Sequence, residues 1–274
     1  MKWRAFLIAA TVVASLPVAS GAAAAAAITC PTGANGLCEG TNGNDTLSGT
    51  GGADDMRGLA GRDTLNAGAD LDVLAGGRGE DELNGEADND QLNGGPDDDR
   101  LAGGGGDDSY IFANDWGRDR ISDDPAQGMF DRISFTLVTS PVKIDLVPRA
   151  SRPEASSGRN AVNLGATVSF AELDGGAAGD SIAGTARGEF LNANQGDDTV
   201  NGRGGSDTVV GADGRDRLIG GPGADSFEAG PRADTVNAAD NTADQQIDCG
   251  GGRDTVFFDQ GLDVLTNCEI KKPA

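Results

Sequence analysis

The sequence predicts an all-β solenoid made of two arrays of nine-residue repeats with a non-repetitive β insert between them. Three observations predict it: a large apolar residue at every ninth position, an aspartate two positions before each, and abundant glycine in place of the usual core formers. The chain has 274 residues with 44 Gly, but only 3 Met, 2 Trp and 1 Tyr. That is too little bulk for an ordinary globular core. Units that each bury one apolar side chain against the units before and after them can still order such a chain.

Residues 1–27 read as a secretory signal peptide. Lys2 and Arg4 precede an apolar run over 5–18 and a small-residue stretch over 19–27 with several Ala-x-Ala cleavage options. The alternative, a membrane anchor, needs about 18 strongly apolar residues, and Ser15, Pro17 and Ser20 interrupt the run. Secretion places the chain outside the cell, where its four cysteines, Cys30, Cys38, Cys249 and Cys268, meet an oxidising environment. Three connectivities are possible. One pair lies before the repeats and one at their end, so Cys30 is expected to bond Cys38 and Cys249 to bond Cys268. Residues 28–39 then form an N-terminal disulfide cap. A zinc site is the rival, but there is no histidine to complete a shell.

The first array occupies residues 40–112. Its apolar positions are Leu47, Met56, Leu65, Leu74, Leu83, Leu92, Leu101 and Tyr110, each preceded at two residues by Asp45, Asp54, Asp63, Asp72, Asp81, Asp90, Asp99 and Asp108. Four positions before each apolar residue stands Gly43, Gly52, Gly61, Asp70, Gly79, Asp88, Asp97 or Gly106, residues that tolerate the left-handed region of a turn. In the insert, residues 113–174, the period is lost, although Asp119 with Ile121 and Asp131 with Ile133 look like degenerate turns. Apolar alternation over 132–138, 142–147 and 162–170 predicts strands that continue the sheets, with a polar loop over 149–160. The second array, residues 175–246, has Ile182, Leu191, Val200, Val209, Leu218, Phe227 and Val236, with Asp180, Glu189, Asp198, Asp207, Asp216, Asp225 and Asp234 at the acidic position. After a two-residue slip, residues 247–274 hold terminal repeats at Ile247, Val256 and Leu265, the last two with Asp254 and Asp263, and a second disulfide cap.

The blocks resemble the GGxGxDxUx repeat of RTX, or hemolysin-type, calcium-binding proteins. Gly76-Gly77-Arg78-Gly79-Glu80-Asp81-Glu82-Leu83-Asn84 and Gly103-Gly104-Gly105-Gly106-Asp107-Asp108-Ser109-Tyr110 match it closely. In that family six residues form a calcium-binding turn and three a short strand, and two units make one coil of a right-handed parallel β-roll. The resemblance implies several Ca²⁺ ions. Their carboxylate ligands would be Asp45, Asp54, Asp63, Asp72, Asp81, Asp90, Asp99, Asp108, Asp180, Asp198, Asp207, Asp216, Asp225, Asp234, Asp254 and Asp263. Backbone carbonyls of Gly43, Gly52, Gly61, Gly77, Gly79, Gly95, Gly104 and Gly106 would add to them. This chain departs from the pattern at Glu189 and at first-position residues such as Ala67 and Ala193.

Coils of eighteen residues would stack Asp63 above Asp45, and Asp72 above Asp54, at the strand spacing of roughly 4.8 Å. Two carboxylates so placed repel by about 1 kcal/mol in water and roughly 3 to 4 kcal/mol at an effective dielectric of 20. A cation relieves this, and Ca²⁺ accepts both carboxylates and the carbonyls of glycine-rich turns, whereas Mg²⁺ holds its waters. Binding and folding would then be one event outside the cell. The alternative is a metal-free solenoid whose aspartates only hydrogen-bond turns. The turns lack the Lys-Ser/Thr ending of a phosphate cradle, and no EF-hand loop is present.

With a formal charge of −23, neither nucleic acid nor an anionic membrane is an expected partner, and no segment after residue 27 suits membrane insertion. The absence of histidine excludes Ser-His-Asp, Cys-His and His-Glu-x-x-His chemistry, and among 44 acidic residues no pair stands out as glycosidase carboxylates. The chain is therefore expected not to be an enzyme. Three roles stay open: a structural or surface-associated calcium-binding module, a calcium-dependent adhesin or carbohydrate-binding protein with a cell-surface or glycan partner, and a carbohydrate-active protein. Aromatics in the insert, Trp116, Phe130, Phe135 and Phe170, would serve the last two, although Trp116 follows the strand residues Tyr110 to Phe112 closely enough to be core.

Overall fold

The computed structural model describes residues 24–31, 36–122, 131–145, 155–157, 160–164 and 170–273. The expected signal peptide falls outside them over residues 1–23, as do Phe130, residues 146–154 and residues 165–169. Nine-residue units leave room for one short strand and one turn each, so the chain crosses between two sheets at every unit. The result is an all-β, parallel-stranded solenoid of about 12 turns, consistent with an RTX β-roll. One sheet has 15 strands and the other 12.

The eighteen-residue coil is visible in the register. Leu47 pairs with Leu65, Leu65 with Leu83 and Leu83 with Leu101 in one sheet, while Met56, Leu74, Leu92 and Tyr110 align in the other. The second array repeats this with Ile182, Val200, Leu218, Val236 and Val256 facing Leu191, Val209, Phe227 and Ile247. All of these apolar side chains are buried. Their neighbours in each strand point outward, as the two-residue strand period demands.

The insert carries both sheets across the gap between arrays. Asp131–Leu137 sits between Ser109–Ala113 and Phe170–Asp174, and Arg118–Ile121 pairs with Asn160–Leu164. Residues 149–160 are not simply a loop: Ala155–Ser157 is a strand, paired antiparallel with both Asn160–Leu164 and Lys143–Asp145. This reversal lets the chain rejoin the parallel stack at Ser181–Ala183. Phe112, Trp116 and Phe135 pack around one another, with ring centroids 5.1 to 6.0 Å apart. Trp116 and Phe135 are therefore core and unavailable as a binding face.

Both ends are stapled. Cys30 bonds Cys38 and Cys249 bonds Cys268. At the C-terminal end Ile270–Pro273 forms the outermost strand of the larger sheet. Its Lys271, Lys272 and Pro273 are residues that discourage a further strand from adding to the edge.

Candidate metal centre

The repeat aspartates turn inward. Asp45, Asp54, Asp63, Asp72, Asp81, Asp90, Asp99 and Asp108 are all buried, as are Asp180, Asp198, Asp207, Asp216, Asp225, Asp234 and Asp254. Except at Asp54, one carboxylate oxygen of each ties two coils together. Asp63 Oδ1 accepts the Asp45 N–H at 2.7 Å, Asp81 Oδ1 that of Asp63 at 2.8 Å, and Asp99 Oδ1 that of Asp81 at 2.8 Å. On the opposite side Asp72 accepts from Asp54 and Asp90 from Asp72. In the second array the same ladder runs from Asp180 through Asp198, Asp216 and Asp234 to Asp254, and another runs from Glu189 through Asp207 to Asp225.

The other oxygen is left over. Oδ2 of Asp63, Asp72, Asp81, Asp90, Asp99, Asp198, Asp207, Asp216, Asp234 and Asp254 is buried with no hydrogen-bond partner, as is Oδ1 of Asp54. A buried carboxylate oxygen with neither donor nor cation is costly. Burial pushes the carboxyls of Asp72 and Asp216 up to about 6, those of Asp81, Asp198, Asp207 and Asp234 up to about 7, and those of Asp90 and Asp99 up to about 8. Aspartates on adjoining turns add to the rise. The repulsion expected between stacked aspartates is present, but the loss of hydration is the larger cause.

In several turns the space beside the free oxygen is kept open by a first-position glycine, whereas Ala67, Ala193 and Ala229 hold that position in the turns of Asp72, Asp198 and Asp234. A methyl group on Gly58 would lie 2.5 Å from Asp63 Oδ2 and 2.5 Å from the Gly76 carbonyl oxygen, and one on Gly76 would lie 2.5 Å from Asp81 Oδ2 and 2.7 Å from the Gly94 carbonyl oxygen. A carboxylate oxygen and a carbonyl oxygen from the next coil thus border one small space. Among the described residues no three acidic or cysteine side chains converge as a metal cluster. A cation here would take carboxylate and backbone oxygens together, the hard, oxygen-only donor set that suits Ca²⁺.

Several expected ligands are placed differently. Both oxygens of Asp45 are engaged, by Ala26 and Thr41, and both of Asp180, by Val142 and Gly176. Asp263 is only half buried, and its oxygens accept from Asp244 and Asp259. None of the three offers an idle oxygen. Gly61, Gly79 and Gly106 have the left-handed backbone expected at the fourth position, whereas Gly43 and Gly52 do not; their N–H groups donate instead to the Thr41 and Thr50 hydroxyls. The carbonyls that border the space beside Asp63 Oδ2 and Asp81 Oδ2 belong to the first-position glycines Gly76 and Gly94, which the motif alone did not single out.

The structure also adds residues to the ladders. Asp119, Asp131 and Asp244 accept the N–H groups of Asp99, Asp108 and Asp225, and Glu269 ends one ladder by accepting from Asp254. Asp244 was hidden by the two-residue slip, since it stands three residues before Ile247 and not two. Only its nineteen-residue offset from Asp225 shows that it occupies the repeat position.

A parallel solenoid threaded by ladders of half-satisfied buried carboxylates, many of them beside glycine-rich turns, defines a calcium-binding repeat protein. The RTX calcium-binding nonapeptide repeat matches in four copies, at residues 39–74, 75–110, 174–209 and 183–218, and over those residues the chain carries RTX-type repeats. No curated protein matches the chain.

Proposed function

We propose that this chain is a secreted, non-catalytic structural module whose roll is completed by several calcium ions outside the cell. The observation that carries the reading is the row of idle oxygens in both arrays. Each is buried without a donor, and each destabilises the fold until a cation neutralises it. Chelated calcium should therefore leave the arrays unfolded, and extracellular calcium should fold them.

Far-ultraviolet circular dichroism tests this. The β-spectrum is expected to be lost in excess EDTA and restored by Ca²⁺, with Mg²⁺ a poor substitute. An unchanged β-spectrum in chelator would sink the reading. Among the described residues no helix is long and apolar enough to cross a membrane. The burial of Trp116 and Phe135 removes two of the aromatics on which an adhesive or glycan-binding role would draw, so the structural reading is preferred.

A further inference from the structure

The four turns that open the arrays differ from the turns that follow. In the first array Asp45 Oδ2 accepts the backbone N–H of Thr41 at 2.5 Å and its hydroxyl at 2.8 Å. Asp54 Oδ2 accepts the same two groups from Thr50, at 2.7 and 3.1 Å. In the second array Glu189 accepts the N–H of Thr185 at 3.1 Å and also the Thr185 hydroxyl. Asp180 Oδ2 accepts the N–H of Gly176 at 2.6 Å. Each threonine hydroxyl in turn accepts the N–H two residues on, from Gly43, Gly52 or Arg187. Here the oxygen that stands idle along the interior of the arrays is already satisfied, except that Asp54 has its Oδ1 idle instead.

Backbone conformation separates the same turns independently. The second residue of each interior turn has positive φ, in the first array at Leu59, Gly68, Gly77, Glu86, Gly95 and Gly104, and in the second at Asn194, Arg203, Ala212, Gly221 and Gly230. Thr41, Thr50, Gly176 and Thr185 hold the equivalent position without it. A β-branched side chain is strongly disfavoured at positive φ. A threonine there therefore selects the conformation in which its own N–H and hydroxyl face the carboxylate.

We infer that the first coil of each array is closed by hydrogen bonds where the later coils use calcium, with Thr41, Thr50 and Thr185 standing in for the metal. These coils also have metal-free support. The first lies beside the Cys30–Cys38 disulfide, and the second is hydrogen-bonded to the insert through Val142. Each array thus begins on a platform that folds without calcium, and calcium-loaded coils add to it.

This inference rests on calcium binding by the interior turns, and amide hydrogen exchange on the full chain separates the two. In excess chelator, residues 40–57 and 175–192 are expected to exchange at least about tenfold more slowly than residues 61–110 and 196–237; in calcium all four segments should be slow. Replacing Thr41 and Thr50 together by Gly should abolish the chelator-resistant protection of residues 40–57 and increase the calcium bound per chain, read by atomic spectroscopy after desalting. Replacing both by Ser should preserve protection and stoichiometry. Uniformly fast exchange in chelator with reversible calcium uptake overturns the platform alone, as does a glycine variant with unaltered exchange and calcium content. A chain that takes up no calcium overturns the underlying reading as well. Should the glycine variant fail to fold, the exchange pattern of the native chain decides.

Discussion

Along the interior of the arrays an aspartate such as Asp81 or Asp90 divides its work between two oxygens: Oδ1 holds the coil before it, and Oδ2 is left for a cation. Asp90→Asn should separate the roles, because the amide can still accept the Asp72 N–H while the charge is removed. Asp90→Ala strands that N–H, so it should be less stable than the asparagine variant in saturating calcium by about 1 to 3 kcal/mol. Chemical denaturation in calcium gives the difference. Acidity should also substitute in part for metal. Carboxyls raised from 3.8 to between about 6 and about 8 stabilise the metal-free fold fully below their unfolded value. That stability is withdrawn as pH rises through the folded values. In chelator, β-structure is therefore expected to return as pH falls from about 8 towards about 4. In calcium the sign reverses, since protons compete with the metal, and the half-saturating calcium concentration should rise over the same interval. Titrations monitored by circular dichroism at several pH values measure both.

At the scale of the turn, Gly58 and Gly76 are short of room, although Ala67, Ala193 and Ala229 carry a methyl group at the same position of their own turns. Gly76 does not have positive φ, so Gly76→Ala tests room alone. Its methyl group would press on Asp81 Oδ2 and the Gly94 carbonyl, and calcium affinity should fall. Gly51→Ala, with nothing within 4 Å of the added carbon, is the control and should bind as the parent does; calorimetric calcium titration compares them. The sequence revealed the period, the acidic position and the inward apolar residue, because each recurs at a fixed spacing and needs no tertiary information. It did not reveal that Thr41, Thr50 and Thr185 bind the carboxylate of their own turn. They look like ordinary substitutions for glycine until the direction of their N–H groups is known.

Across the whole molecule the two ends need closure, because a parallel stack otherwise exposes unpaired strand edges. Cys249 is buried and its bond to Cys268 fixes the neighbouring Glu269, which ends the Asp254 ladder. Cys268→Ser should loosen that end, raising amide exchange near Asp254 and promoting aggregation. Light scattering in calcium reads the latter, and a variant as monodisperse as the parent would argue against the cap. The resemblance to RTX repeats implied the eighteen-residue coil and the inward apolar column, and the sequence by itself determined the nine-residue period, the recurring apolar and acidic positions and the grouping of cysteines at each end. These follow from residue type and spacing along one dimension. Only the tertiary structure decided which carboxylate oxygens lie idle, that first-position carbonyls border them, that Asp244 and Glu269 extend the ladders, and that the insert reverses one strand. Those depend on what stacks above and below each turn, and eighteen or more residues separate such neighbours in nearly every case.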